Sequence, residues 1–230
     1  MQIQSISRDN SDACVICAGL LPLQALATRG QNGSNLFFSS TETGRTGSGA
    51  SIAWYKLQRG AGALMKVTWD WAREGLLGGT IKYWTSIEAG NKPPLEPEEE
   101  RNLNALASCW MLSDMLDEDK ADLERTLQML RLVFGMVSRI NVQTDRKMGK
   151  FRVIFAWTVL IPDGFCAMFE RRVPQTLVLI AVYCVLLKRL DEFWWMAGKA
   201  EELFDAVWRE LPDRSWDKLL EWPAEQIRVR

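Results

Sequence analysis

Acid–base and nucleophilic chemistry draw on a short list of side chains, and this sequence leaves most of that list empty. It contains no histidine, which removes imidazole triads, the usual general base at neutral pH and the commonest metal ligand. Its five cysteines, Cys14, Cys17, Cys109, Cys166 and Cys184, are an odd number in mostly apolar surroundings. With no Arg-flanked apolar leader and cleavage site, they predict free thiols in a reducing intracellular compartment. Cys14 and Cys17 make a single CxxC without the further ligands a metal centre needs, so no metal and no cofactor is expected. Arg59-Gly-Ala-Gly62 has two readings, a phosphate-binding loop or glycines inside a helix where a neighbour packs closely; no strand precedes it, as a phosphate loop requires. Asp163 and Glu170 flank an aromatic stretch. With the Tyr183 hydroxyl, they are the groups that would assist a cofactor-free cyclisation or pericyclic step in an apolar enclosure. No paired carboxylates and no activated nucleophile accompany them, so the alternative is two solvated carboxylates on a short helix.

The richer signal is aromatic. Eleven tryptophans in 230 residues either fill a large helical core or line a cavity for a flat apolar ligand. If a cavity exists, its walls come from the stretch around residues 155–187 and one earlier helix: Trp69, Trp157, Phe165, Met168, Phe169 and Tyr183. Each taken singly reads first as core, because aromatic and Met side chains on helix faces fill interiors first. Tyr183 stands out, since a hydroxyl in an apolar helix needs a partner, either a buried backbone carbonyl or the polar group of a ligand.

The elements that must position these residues are organised around Arg171 to Pro223. Pro174 favours a helix start, and Leu177 to Leu187 is apolar on every side except at the Tyr183 hydroxyl, which predicts a central helix. Its eleven residues fall well short of the roughly 20 that a membrane crossing takes, so no membrane span is expected. Lys188 to Glu192 is a charged break before a second, amphipathic helix. Upstream, residues 13–28 predict a buried helix kinked or split at Pro22, and residues about 30–50, rich in Gly, Ser and Thr, a flexible loop relieved only by the Leu36 to Phe38 cluster. Apolar positions from Ile52 to Trp71 recur at helical spacing and predict one long helix. Asn91 to Pro97 is a connector, and Glu98 to Glu100 suit the start of a helix reaching Leu112. Asp117 to Ile140 is amphipathic, with Leu123, Leu127, Leu130, Phe134 and Val137 on one stripe. Phe151 to Leu160 has strand-like propensity but no strand to pair with, so it is read as helix, followed by a short helix from Pro162 to about Phe169.

Length and composition, with 47% hydrophobic and 25% charged residues, predict an all-α fold: a single multi-helix domain over residues 13–223, with a disordered segment at 1–12 and a tail at 224–230. A net charge of −1 without a basic block argues against nucleic-acid binding by this chain, because phosphate neutralisation takes clustered Lys and Arg.

Three stretches then carry a family likeness: WYKLQRGAGALMKVTWDWAREGLLGG at Trp54 to Gly79, FAWTVLIPDGFCAMFERRVPQTLVLIAVYCVLLKRLDEFWW at Phe155 to Trp195, and WDKLLEWP at Trp216 to Pro223. In order and composition they resemble the C-terminal effector domain of fungal zinc-cluster transcription factors of the sterol uptake control type. The resemblance implies an all-helical domain that forms homodimers, or heterodimers with a related factor, and holds a sterol-like or polycyclic molecule in an apolar pocket whose occupancy controls nuclear entry and transcription. It implies regulation of sterol or secondary-metabolite genes. The six-cysteine DNA-binding cluster with which such factors usually start is not found in these residues. After Trp195, where the family often continues Gly-Trp-Gly, this chain has Gly198, Lys199 and Ala200. Two other functions fit the same residues: a stand-alone cyclase or pericyclase reusing the pocket, and an interaction module that titrates a full-length factor.

Overall fold

A computed structural model of the chain describes residues 6–28, 32–39, 53–74, 94–111, 113–140 and 146–228. Every regular element among them is a helix, so the fold is all-α. They group into two compact units, one drawn from Met1–Gln31 and Ser39–Asn91, the other from Asn32–Phe38 and Lys92–Arg230.

The first unit holds α1 (Arg8–Ala27), α2 (Trp54–Val67) and α3 (Trp69–Glu74). Helix α1 begins inside the segment expected to be disordered, because the Asn10 side chain accepts the Ser7 backbone N–H at 2.8 Å and so caps the first turn. It is neither split at Pro22 nor buried. The helix is one element through Pro22, and Ile16, Leu20, Leu21 and Leu23 are exposed. It is also long and apolar enough to cross a membrane, a property of length and composition alone. Helix α2 packs on α1, and the Trp54 indole donates to the Pro22 carbonyl at 2.8 Å, pinning the start of α2. Arg8 and Glu74 form a 2.7 Å ion pair between the start of α1 and the end of α3.

The single helix expected up to Trp71 breaks at Thr68. The Thr68 hydroxyl donates back to the Leu64 carbonyl at 3.0 Å, and the backbone leaves the helical region there, a competition typical of β-branched hydroxyl residues. Arg59 to Gly62 lies inside α2, so the phosphate-loop reading is excluded. A Cβ at Gly60 would meet open space, so close packing does not explain that glycine.

The second unit is built on α8 (Pro174–Lys188), where every residue from Thr176 to Leu187 is buried. A helix apolar on all sides can shed that surface only by being enclosed. Around it stand α4 (Pro97–Met111), α5 (Asp117–Ile140), α7 (Asp163–Glu170), α9 (Lys199–Glu210) and α10 (Asp217–Arg228). Helix α6 (Arg146–Leu160) packs on α5 and settles the Phe151 to Leu160 ambiguity in favour of helix. Between α8 and α9 the charged break is a run of tight turns from Arg189 to Gly198. Gly198 closes it at a left-handed φ of 79°, which glycine adopts without steric cost. Helix α10 continues to Arg228, with Ala224 and Ile227 buried. The segment expected to be a tail therefore extends the core, since Leu220, Ala224 and Ile227 keep the helical period.

The stretch expected to be a flexible loop is partly ordered. Gly33–Leu36 forms a 3-10 turn with Leu36 and Phe37 buried, packed against α9. Residues 30–31 and 40–50 of that expected loop lie outside the described residues, as do 75–79 of the first matched stretch and 91–93 of the connector.

Candidate functional site

Five of the six ring and Met positions singled out in the sequence meet in the second unit. Helix α6 supplies Trp157, α7 supplies Phe165, Met168 and Phe169, and α8 supplies Tyr183; all five are buried. The Trp157 and Tyr183 rings stack at 4.3 Å with an interplanar angle of 23°, and Phe165 meets Trp157 edge-on at 6.1 Å. Trp69 is elsewhere, at the start of α3 in the first unit, and half-buried.

The polar atoms of the site face backbone. The Tyr183 hydroxyl donates to the Ile154 carbonyl at 3.1 Å, the first of the two partners its position allowed. Burial pushes its pKa well above the usual phenol value, so it stays a neutral donor. The Trp157 indole points to the Thr126 carbonyl at 3.4 Å. Asp163 and Glu170, the carboxylates that would assist a reaction, open and close α7 on the exposed side of that helix.

A residue that sequence reasoning passed over completes the ring cluster. Phe37, from the 3-10 turn, lies 5.9 Å from Tyr183, 5.8 Å from Phe169 and 6.3 Å from Trp157. The signal was there: an apolar triplet, Leu36 to Phe38, in a stretch otherwise made of Gly, Ser, Thr and Asn. Its anchors also come from positions the sequence left unmarked. The Gly33 backbone N–H donates to the Glu202 carboxylate, and a Cβ on Gly33 would overlap the Lys199 carbonyl, so only glycine permits this approach. Lys199, standing where the resemblance led us to expect an aromatic, is buried, and desolvation lowers its ammonium pKa.

Arg172 guards the other side of the turn. Helix α7 ends with Val173 N–H on Met168 O at 3.1 Å and Arg172 N–H on Phe169 O at 2.9 Å, the closing pattern that glycine usually serves. Here Arg172 adopts a φ of 59°, at a steric cost of about 1 kcal/mol. The guanidinium lies over the Phe38 and Phe169 rings at 4.8 and 5.4 Å and pairs with Glu210 at 3.1 Å, contacts that offset that cost.

Two further polar features flank α8. Glu99 stands in the first turn of α4, as expected, and is also buried and paired with Arg189, which lies over the Phe134 ring at 5.2 Å. Lys188 binds Asp191 at 2.6 Å and also Glu201. Among the described residues no set of three His, Cys, Asp or Glu side chains is arranged to hold a metal ion.

No family model matches the chain, and no solved structure does. The chain is similar to a Zn(2)-C6 fungal-type transcription factor of Gibberella zeae, 23% identical over 229 residues. That alignment takes in 95% of this chain and 43% of the relative, so the chain spans less than half of the relative's length. The similarity relates the chain to a region of a fungal zinc-cluster transcription factor; the relative's description does not specify the sterol uptake control type.

Proposed function

We propose that this chain is a regulatory region of a fungal transcription factor, working in the nucleus and cytoplasm, that responds to an apolar small molecule and controls sterol or secondary-metabolite genes. The observation that carries the proposal is the similarity of nearly the whole chain to part of a zinc-cluster transcription factor. The ring cluster around α8 supports the choice of an apolar ligand: rings from three helices converge with their few polar atoms already bonded to backbone, so an enclosed molecule would be recognised mainly by shape and apolar area. DNA contact in this reading belongs to a zinc-cluster segment other than these 230 residues, which lack a basic block. Dimerisation, with a second copy or a related factor, would couple two such regions. The pericyclase alternative draws less support, because Asp163 and Glu170 are exposed and the Tyr183 hydroxyl is already bonded to a carbonyl.

The test is organic extraction of protein purified from a fungal host, followed by mass spectrometry and re-addition of what is recovered. An apolar compound held in stoichiometric amount and returned unchanged is the expected result. Conversion of the compound on re-addition would favour the enzyme. A folded protein that neither retains nor takes up any apolar molecule would contradict ligand responsiveness.

A further inference from the structure

We infer that residues Asn32 to Phe38 are a built-in occupant of the apolar site: the Phe37 ring holds the place that a flat ring system takes when the segment is displaced. The inference rests on the ligand-responsive reading above and adds its regulation. Phe37 contacts the Trp157, Phe169 and Tyr183 rings, the same side chains that would contact a ligand. Unlike those three, it follows directly on a four-residue 3-10 turn rather than standing on a helix of the core, and short turns of this kind open at lower free energy than packed helices.

The anchors are specific and separable from the rings. Gly33 donates to Glu202 and lies flat on the Lys199 carbonyl, and Phe38 lies under Arg172. Withdrawal of the turn would leave a slot floored by the Trp157–Tyr183 stack, with the Glu202 carboxylate and the Arg172 guanidinium at its rim. The ligand class that fits is a rigid, flat, mostly apolar molecule recognised by its ring area. The apparent affinity of such a ligand is lowered by the fraction of molecules in which the turn is closed, so weakening the anchor should tighten binding.

The full chain is titrated with prodan, a neutral naphthalene fluorophore, as wild type, Glu202→Ala and Phe37→Ala, and exchange of backbone amides at residues 32–39 is followed by mass spectrometry. Glu202→Ala keeps every ring and removes the hydrogen-bonded anchor of the turn, together with a carboxylate that favours the Lys199 ammonium, on a helix where Ala is well tolerated. The expected result is binding about 3- to 10-fold tighter for Glu202→Ala than for wild type, since the competent fraction rises by that factor. Faster exchange at 32–39 in wild type once prodan is bound should accompany it. Tighter binding by Phe37→Ala alone would mean an artificial cavity and would overturn the inference. Equal binding by all three proteins would overturn it while leaving ligand responsiveness intact. No binding by any of them, with native near-ultraviolet circular dichroism, would remove both.

Discussion

At the scale of single residues, the core of the second unit is decided by how buried polar atoms find partners. Tyr183 shows this most simply. Its ring is held by the Trp157 stack and its hydroxyl by the Ile154 carbonyl, so Tyr183→Phe keeps the ring packing and loses one neutral hydrogen bond. The expected cost is about 1 kcal/mol, read as a shift in the urea midpoint at unchanged slope. Glu99 and Arg189 show the charged version. Arg189→Met leaves a buried carboxylate without its cation and should cost about 3 kcal/mol. Glu99→Gln leaves only the better-exposed guanidinium and should cost clearly less. Equal losses in the two variants, measured by chemical denaturation, would mean that Glu99 is hydrated rather than held by Arg189. Lys188 adds a pH dependence. Hydrogen bonds to Asp191 and Glu201 raise its pKa above the usual 10.5, so the folded state binds this proton more tightly than the unfolded chain. The resulting stabilisation is complete below pH 10.5 and is lost as the pH rises through the folded value. Lys188→Met should therefore narrow its stability gap to wild type on the alkaline side, and a gap constant from pH 8 to 11.5 would contradict this assignment.

At the scale of elements, periodicity was a good guide wherever burial is one-sided or complete. The Asp117–Ile140 stripe and the all-apolar run ending at Leu187 are both present as read, because a helix with a continuous apolar face has one favourable way to bury it. What escaped was set by contacts that leave no trace in the apolar period. Thr68 breaks a regular apolar period through a hydroxyl bond to its own helix, and nothing in the spacing of apolar residues reports that. Leu36 and Phe37 sit in a stretch whose composition signals a loop, yet they are anchored by Glu202 and Lys199, more than 160 residues downstream. Arg172 takes a backbone conformation normally left to glycine because Glu210 and two rings hold its side chain. The candidate site was legible to the same degree. Trp157, Phe165, Met168, Phe169 and Tyr183 were marked by their place around an apolar helix, and they converge. Phe37 was missed because a ring on a loop carries no period, and Trp69 was included on helical spacing alone, although it belongs to the other unit.

At the scale of the whole molecule, a nearly neutral all-helical chain with a ring cluster inside its second unit is linked by similarity to a transcription factor. A charge of −1 offers little to a phosphate backbone, so an effect on genes has to pass through an attached or associated DNA-binding segment. The measurement that tests this most directly fuses the full chain to an unrelated bacterial DNA-binding domain. Reporter transcription from the matching operator is then read in a fungal host grown with and without an inhibitor of sterol synthesis. The account predicts that the fused chain alters transcription several-fold relative to the DNA-binding domain alone, and that the inhibitor changes the size of that effect. A reporter indistinguishable from the DNA-binding domain alone under both conditions, with the fusion folded and present in the nucleus, would contradict it.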